Sequence, residues 1–411
     1  MLKQLILENW KSFRYAELPL DPLTVLIGTN ASGKSNVVEA LEFLKRIAQG
    51  ANIDAALAGD KILPSIRGGV EWAARKPETQ FTLKALVAGE DDQTDYLYVM
   101  QITTIPEVFL IEKYIERKVI LNETKIHIER YTLKSIIPID PRIFIDYSDL
   151  EYNNLLLESD DGKIIDSHNA TQIYLPLKNK AIKFTFDSLK NILILDPIPS
   201  KMREYSRLSD TLESDASNIA GVLAALPDDQ KTEIESTLSA YLKELPEGDI
   251  QKVWAEKVGR LGTDAMLYCE EEWKPGQITE IDARSMSDGT LRFLAILTAL
   301  LTRPEGSQIV IEEIDNGLHP SRAQLLVRIL REIGSKRKID ILLTTHNPAL
   351  LDALGPEIVP FVVVSHRDSE TGESKLTLLE DIDNFSKLFA SYSLGDMTTK
   401  GAIERSLSRG E

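Results

Sequence analysis

The sequence predicts an α/β fold in which a mixed or parallel sheet carries a glycine-containing loop, accompanied by an antiparallel β subdomain and a helical lobe. Three observations predict it. The apolar run LTVLIG breaks at Gly28 into GTNASGKS and continues into NVVEALEFLKRIAQG, where Val37, Val38, Leu41 and Leu44 recur at helical spacing before Gly50. That is strand, loop, helix. Two later apolar runs, QIVIEE and IDILLTTH, flank a helical stretch around Ala323 to Ile333, for which a parallel right-handed crossover is the default connection. Between about Gln80 and Tyr131 the short runs FTLKALV, YLYVMQIT and VFLIEKYIE, separated by GEDDQTD and Pro106, read as an antiparallel sheet.

Taken in order, residues 2 to 7 and 23 to 27 are strands bounded by Asn9, Asp21, Pro22 and Gly28. The acidic, Asn-rich stretch from Asp149 to Lys180, with pieces such as ESDDGK, suggests exposed loops. NILILDP is a buried strand ended by Pro197 and Pro199, and a mostly helical segment follows to about Lys257. No apolar heptad persists there, which argues against a coiled-coil arm. After Ser285 comes an apolar helix, and the last 45 or so residues hold a strand pair around Thr371 and Gly372 and a small helical tail. The expected divisions are 1–195, the first part of the nucleotide-binding lobe with its β insert; 196–304, the helical lobe; 305–365, the second part of the nucleotide-binding lobe; and 366–411, a tail.

With 411 residues, 43% of them hydrophobic, the chain can fill a large core. A formal charge of -17 argues against a general nucleic-acid-coating surface and leans toward protein partners. A single cysteine, Cys269, leaves no intrachain disulfide and no Cys-based zinc cluster. No apolar run is long enough to span a membrane, and the N-terminus carries no secretory cleavage pattern, so a cytoplasmic location is expected.

Gly28 to Ser35 matches GxxxxGK[ST] in full. Its glycines let backbone N–H groups turn onto phosphate oxygens, Lys34 reaches the β- and γ-phosphates, and the Ser35 hydroxyl ligates Mg2+. Glu312 and Glu313 end an apolar strand; alone they would read as a solvated edge, but IVI before them and IDNGLHP after them favour a metal-supporting acid and a general base for water. His346, after ILLTT, can orient that water; by itself it would be a surface histidine. Ser287 and Gly289 stand at the start of the helix LRFLAILTALL, where the free N–H groups suit an anion, or where Ser287 is simply an N-cap. His319 reads as structural, His127, His168 and His366 have no evident partners, and no His cluster suggests a metal site.

The segments LENWKSF (7–13), LTVLIGTNASGKSNVVEAL (23–41), SMSDGTLRFLAIL (285–297), VIEEIDNGLHP (310–320) and TTHNPALLDAL (344–354) together resemble SMC and RecF-like ABC ATPases, particularly the bacterial group related to the OLD family. The resemblance implies an ABC-type ATPase head using ATP and Mg2+. Gly28, Thr29, Asn30, Ala31, Ser32, Gly33, Lys34, Ser35 and Asn36 would surround the phosphates, Ser35 and Glu312 would serve the metal, Glu313 would be the base and His346 the switch. Ser287 and Gly289 would cap the γ-phosphate held by the opposite protomer, and Asp315 would lie at the dimer interface. Two departures stand out: Glu312 replaces the usual Asp, and the Q-loop glutamine has only Gln80 and Gln101 as candidates. Some 65 residues follow His346, too few for an OLD-type nuclease domain, and Asp381 and Asp383 read as a solvated loop. The implied function is an ATP-hydrolysing switch, a homodimer or higher homo-oligomer, that controls an effector protein in bacterial anti-phage defence. The alternatives are a RecF-like DNA-binding repair ATPase, a transporter ATPase subunit, which the SMSDGT signature and the large inserted sheet disfavour, and a nucleotide sensor that barely hydrolyses ATP.

Overall fold

The computed structural model describes residues 1–61, 63–122, 125–133, 167–316 and 319–407. In chain order its strands are β1 (Leu2–Trp10), β2 (Phe13–Pro19), β3 (Leu23–Ile27), β4 (Gln80–Ala88), β5 (Thr94–Thr103), β6 (Phe109–Asn122), β7 (Lys125–Thr132), β8 (Ile192–Leu195), β9 (Ser206–Arg207), β10 (Ile250–Val258), β11 (Asp264–Lys274), β12 (Gln277–Asp282), β13 (Gln308–Ile311), β14 (Asp340–Thr344), β15 (Val362–Arg367) and β16 (Ser374–Leu378). The helices are α1 (Lys34–Ala48), α2 (Ile53–Ala58), α3 (Ser167–Lys190), α4 (Pro199–Met202), α5 (Ile219–Ala225), α6 (Asp228–Lys243), α7 (Asp288–Thr302), α8 (Ala323–Arg337), α9 (Pro348–Leu354), α10 (Phe385–Ser391), α11 (Leu394–Thr399) and α12 (Ala402–Leu407). The chain divides into two compact units: one holds 2–15 and 39–190, the other residue 1 with 16–38 and 191–411.

The first unit is organised on the sheet ordered β2-β1-β4-β5-β6-β7. Its strands β1, β4, β5, β6 and β7 pair antiparallel in sequence, with Leu5 opposite Ala85, Lys84 opposite Val99 and Tyr98 opposite Ile115. This is the antiparallel sheet expected between residues 80 and 131. Buried Trp10 meets Phe81 edge-on at 4.9 Å and Phe43 at 6.0 Å, an aromatic cluster whose burial anchors β1. Helix α3 packs on the sheet through Tyr96 with Phe184 and Tyr98 with Phe186. Residues 167–180, expected as loops, are therefore helical: Pro176 and the polar residues hide the helix in the sequence, and aromatic contacts from its C-terminal half hold it in place. Residues 149–166, including ESDDGK, lie outside the described residues.

The second unit carries the six-stranded sheet β16-β15-β3-β14-β13-β8, parallel throughout except for β16. Strands β8, β13 and β14 are buried along their whole length, which is why they read as unbroken apolar runs with no alternation. The expected parallel pairing of β13 with β14 is present, with Ile309 opposite Ile341 and Ile311 opposite Leu343. One continuous core joins Val25, Leu193, Ile309 and Leu343 of this sheet to Phe293 and Leu297 of α7 and Leu330 of α8.

The helical segment expected to reach Lys257 ends earlier. After α6, residues 250–258 form β10, which pairs antiparallel with β11, and β11 with β12, while β9 adds two residues to β11. In β10 the side chains of Val253 and Ala255 are buried while those of Lys252 and Glu256 are exposed, the alternation of a half-buried strand rather than of a helix. Among the described residues, no helix is long and apolar enough to cross a membrane.

Candidate functional site

The segments that follow β3, β8, β13 and β14 build the site, at the C-terminal edge where a parallel sheet offers the open ends of its crossovers. Between β3 and α1 the loop from Gly28 to Gly33 bends through left-handed backbone at Gly28 (φ 144°), Ala31 (φ 64°) and Gly33 (φ 120°). A Cβ at Gly28 would lie 2.1 Å from the Ser365 carbonyl oxygen, so β15 packs too closely there for any side chain. Strand β15 also holds the loop from behind: Ser365 Oγ donates to the Ser32 carbonyl at 3.1 Å and Arg367 Nε to the Ala31 carbonyl at 3.0 Å.

Lys34 opens α1 and turns its ammonium back onto the loop, donating to the carbonyl oxygens of Gly28 (2.6 Å) and Thr29 (3.1 Å). Burial pushes its pKa below the usual lysine value, and the opposing charges of Glu313 and Glu312 recover part of that shift. The three charged groups therefore share one locality. Ser32 is 1% exposed and its Oγ has no hydrogen-bond partner, an orphan that an anion in the loop would satisfy. Thr29, Asn30 and Ala31 are exposed, and Gly33, Lys34 and Ser35 lie at the N-terminal end of α1, where the helix dipole favours phosphate, while the N–H of Asn36 donates to the Gly33 carbonyl at 2.9 Å. These residues fit a nucleotide triphosphate with its divalent cation, Ser35 and Glu312 being the oxygen donors suited to Mg2+.

The turn after β13 sets the carboxylates. Glu313 has φ 46°, unusual for a residue with a side chain, and its N–H donates to Thr344 Oγ1 at 2.8 Å. Ile314 N–H donates to the Thr344 carbonyl at 3.1 Å, and Asn316 N–H to the Glu313 carbonyl at 2.7 Å. Thr345 Oγ1 donates to Asp315 Oδ1 at 2.5 Å and accepts from Asn347 N–H at 3.1 Å. Thr344 and Thr345 are both buried, so β14 fixes the acidic turn with two adjacent hydroxyls. His346 follows them and is exposed. Gly317 and Leu318 lie outside the described residues.

Asp196 is a further residue of this region that the sequence reading passed over. Register places Leu195 of β8 opposite Ile311 of β13, so Asp196 and Glu312 follow at the same level of the sheet. Its N–H donates to the Ser214 carbonyl at 2.8 Å. Burial raises its carboxyl pKa, Arg292 of α7 lowers it in part, and the charges of Glu313 and Asp215 raise it further. The only sequence signal was an acid ending an apolar strand before Pro197.

Ser287 caps α7, its Oγ accepting from Thr290 N–H at 3.1 Å, and Ser287 and Asp288 remain exposed. The loop before them is tied down by Arg203, which donates to the Met286 carbonyl (2.9 Å) and to Asp288 Oδ1 (2.5 Å). Gln80 and Gln101 belong to the other unit, where Gln101 Nε2 donates to Gln80 Oε1 at 3.4 Å beside a cavity of about 390 Å³ that Glu8 and Asn9 also line. His319 has the structural role expected, capping a short turn by accepting from Ser321 N–H. Two other histidines do have partners: His127 meets Glu129 at 3.3 Å and His366 meets Thr377 at 3.0 Å. Among the described residues, no group of His, Cys, Asp and Glu could hold a metal by itself.

A family model described as "AAA domain, putative AbiEii toxin, Type IV TA system" matches residues 23–352, from the first residue of β3 to α9. The chain belongs to this AAA-domain family. It carries a P-loop ATPase domain, and its α/β fold is that of an SMC-type head. Among solved structures, the Smc head domain from Pyrococcus furiosus bound to the C-terminal domain of ScpA is similar in fold, with 12% identity, 95% of this chain and 98% of that chain covered, and a TM-score of 0.50. An SmcHead bound to the C-winged helix domain of ScpA gives 14% identity, coverage of 92% and 96%, and a TM-score of 0.49, and the SMC head domain from Thermotoga maritima gives 13%, 92% and 98%, and 0.45. No curated protein matches this member of the AAA-domain family.

Proposed function

We propose that this AAA-domain protein hydrolyses ATP and uses the nucleotide cycle to switch a partner effector on and off, in bacterial anti-phage defence. The shared locality of Lys34, Glu312 and Glu313 carries the reading, since it supplies a cation for the phosphates and two carboxylates beside it. The backbone N–H groups from Gly28 to Gly33, with Lys34, bind the triphosphate; Ser35 and Glu312 hold Mg2+, whose chemistry is to neutralise phosphate charge. Glu313 takes the proton of the attacking water, and His346 orients that water. Asp196 adds a further acid whose charge is felt by Glu313. Exposed Ser287 and half-buried Gly289, at the head of α7, meet the nucleotide of a second protomer, with Asp315 beside the two-fold contact, so that two chains enclose two ATP molecules. The toxin–antitoxin description of the family supports a role in which such a switch governs a second protein.

The test is a Glu313→Gln chain, in which loss of the base slows hydrolysis by about 10²–10⁴-fold and traps the ATP-bound state. With ATP and Mg2+ it runs as a dimer on light scattering, and a tagged copy purified from its host retains a stoichiometric protein. Recovery of protected DNA without a protein would overturn the effector reading in favour of DNA repair. A wild-type turnover at background with tight ATP binding would replace it by a nucleotide sensor.

A further inference from the structure

The sheet β10-β11-β12 is unused by the chemistry above, and it carries two of the most exposed large apolar side chains among the described residues. Trp254 and Tyr268 stand directly opposite each other and stack at 5.8 Å with an interplanar angle of 19°. Lys252 covers Trp254 at 4.9 Å, and Trp254 Nε1 donates to Glu256 Oε1 at 2.8 Å. At the tip of the β11–β12 hairpin Trp273 is 72% exposed and Ile278 58% exposed. Trp273 Nε1 donates to Glu271 Oε2 at 2.5 Å, which sets Trp273 on the face of Glu271 and Thr279, while Ile278 shares the other face with Glu270 and Glu280, so each face of the hairpin tip leaves a large apolar side chain in water.

The strand beside them is also open. Among the described residues no strand pairs with the outer edge of β12, and Gln277, Ile278, Thr279 and Glu280 are all exposed. A free edge presents a row of unpaired N–H and C=O groups and recruits another strand unless it is blunted. Between Asp264 and Asp282 the sequence has six acids against one base, Lys274. The register puts Glu270 opposite Glu280, and Tyr268 opposite Asp282, on the face that Ile278 shares. That charge decides the occupant. A second copy of β12 would add a second set of uncompensated acids to this edge, and nucleic acid would meet the repulsion of the first. A strand with basic residues at alternate positions matches both the edge and the charge.

We propose that the edge of β12 docks a basic, extended segment of the partner protein by strand addition, its alternate lysines or arginines on the face of Glu280 and Asp282, with Glu270 one strand behind, and its apolar residues on the opposite face, that of Thr279 and Trp273. This rests on the partner-controlled switch proposed above. Docking there bears on the nucleotide site through the chain itself. Asp282 ends β12 and accepts from Arg284 N–H, opening the short turn Ala283–Ser285, and Met286 N–H then donates to the Ala283 carbonyl immediately before Ser287. Whatever seats β12 also seats Ser287.

The test uses the full chain and a labelled synthetic peptide of alternating lysine and valine, read by fluorescence anisotropy, beside a peptide of the same composition with all lysines at one end. The alternating peptide binds at least about tenfold more tightly than the blocked one, and Glu270→Lys combined with Glu280→Lys weakens it by about tenfold or more. The milder pair Glu270→Gln and Glu280→Gln gives an intermediate loss, and ATP binding by each variant shows that it is folded. Equal affinity for the two peptides, or affinity indifferent to the charge reversal, overturns the docking edge. ATP turnover and ATP-dependent dimerisation are measured on the same samples, so failure of the switch is seen separately from failure of the edge.

Discussion

The backbone N–H of Glu313 donates to the hydroxyl of Thr344, 2.8 Å away, so the proposed base, two residues past the end of β13, is held by the last residue of β14. The bond crosses between two parallel strands and secures a backbone at φ 46° that a glutamate does not otherwise favour. Thr344→Val keeps the shape and removes the acceptor, leaving a donor unpaired at a cost of about 1–3 kcal/mol. ATP turnover falls by about tenfold or more while nucleotide affinity changes little, as steady-state hydrolysis and equilibrium binding will show.

Lys34 gives a complementary outcome. Its ammonium is already placed against the Gly28 and Thr29 carbonyls, ready to exchange them for phosphate oxygens. Lys34→Ala removes a charge-assisted contact, and a labelled nucleotide binds about 10- to 100-fold more weakly, with no loss of thermal stability in its absence.

Arg203 tests the signature loop without touching the loop that holds the phosphates. Arg203→Ala frees the Met286 carbonyl and Asp288. Combined with Glu313→Gln, it leaves ATP binding by single chains unchanged and shifts the ATP-dependent dimer toward monomer by about tenfold in the dissociation constant, measured by sedimentation.

Asp340 predicts a pH dependence of stability. Burial pushes its carboxyl up to about 6, with the nearby N-terminal amine lowering it and Asp21 raising it further. The folded state therefore holds the proton more tightly than the unfolded chain, whose aspartates titrate near 3.9. Stability falls as pH rises through this window, and the loss is complete above the folded value. Asp340→Asn removes the buried charge, so thermal unfolding at about pH 8 shifts upward by up to about 3 kcal/mol, with the difference closing toward about pH 4.

What the sequence discloses is what lies within a few residues. Gly28 to Ser35 is legible because strand, loop and helix follow one another, and Ile309 to Ile311 because a strand buried on both faces has no polar alternation to hide it. Asp196 and Thr344 were not legible as site residues. Each acts through a neighbour on another strand, and only the register of β8, β13 and β14 brings them to Glu312 and Glu313. The run Glu270–Glu272 similarly masks β11, whose buried residues Ala265, Met266, Leu267 and Cys269 lie at its other end. Helix α3 is hidden by Pro176 and by polar residues that a loop would also show.

The place of β3 has a consequence for how the protein is made. This early strand is enclosed between β14 and β15, pairing Thr24 with Leu342 and Val25 with both Leu343 and Val362. Neither neighbour exists until the ribosome has added about 310 residues beyond β3, and pairings so distant in sequence are slow to form. A nascent or truncated chain ending before Val362 thus exposes LTVLI on one side, with Gly28 lacking the backbone of Ser365 against which it packs. The nucleotide loop is the first motif to be synthesised and among the last to be assembled, so an incomplete product carries the ATP-binding sequence without the ATP-binding shape.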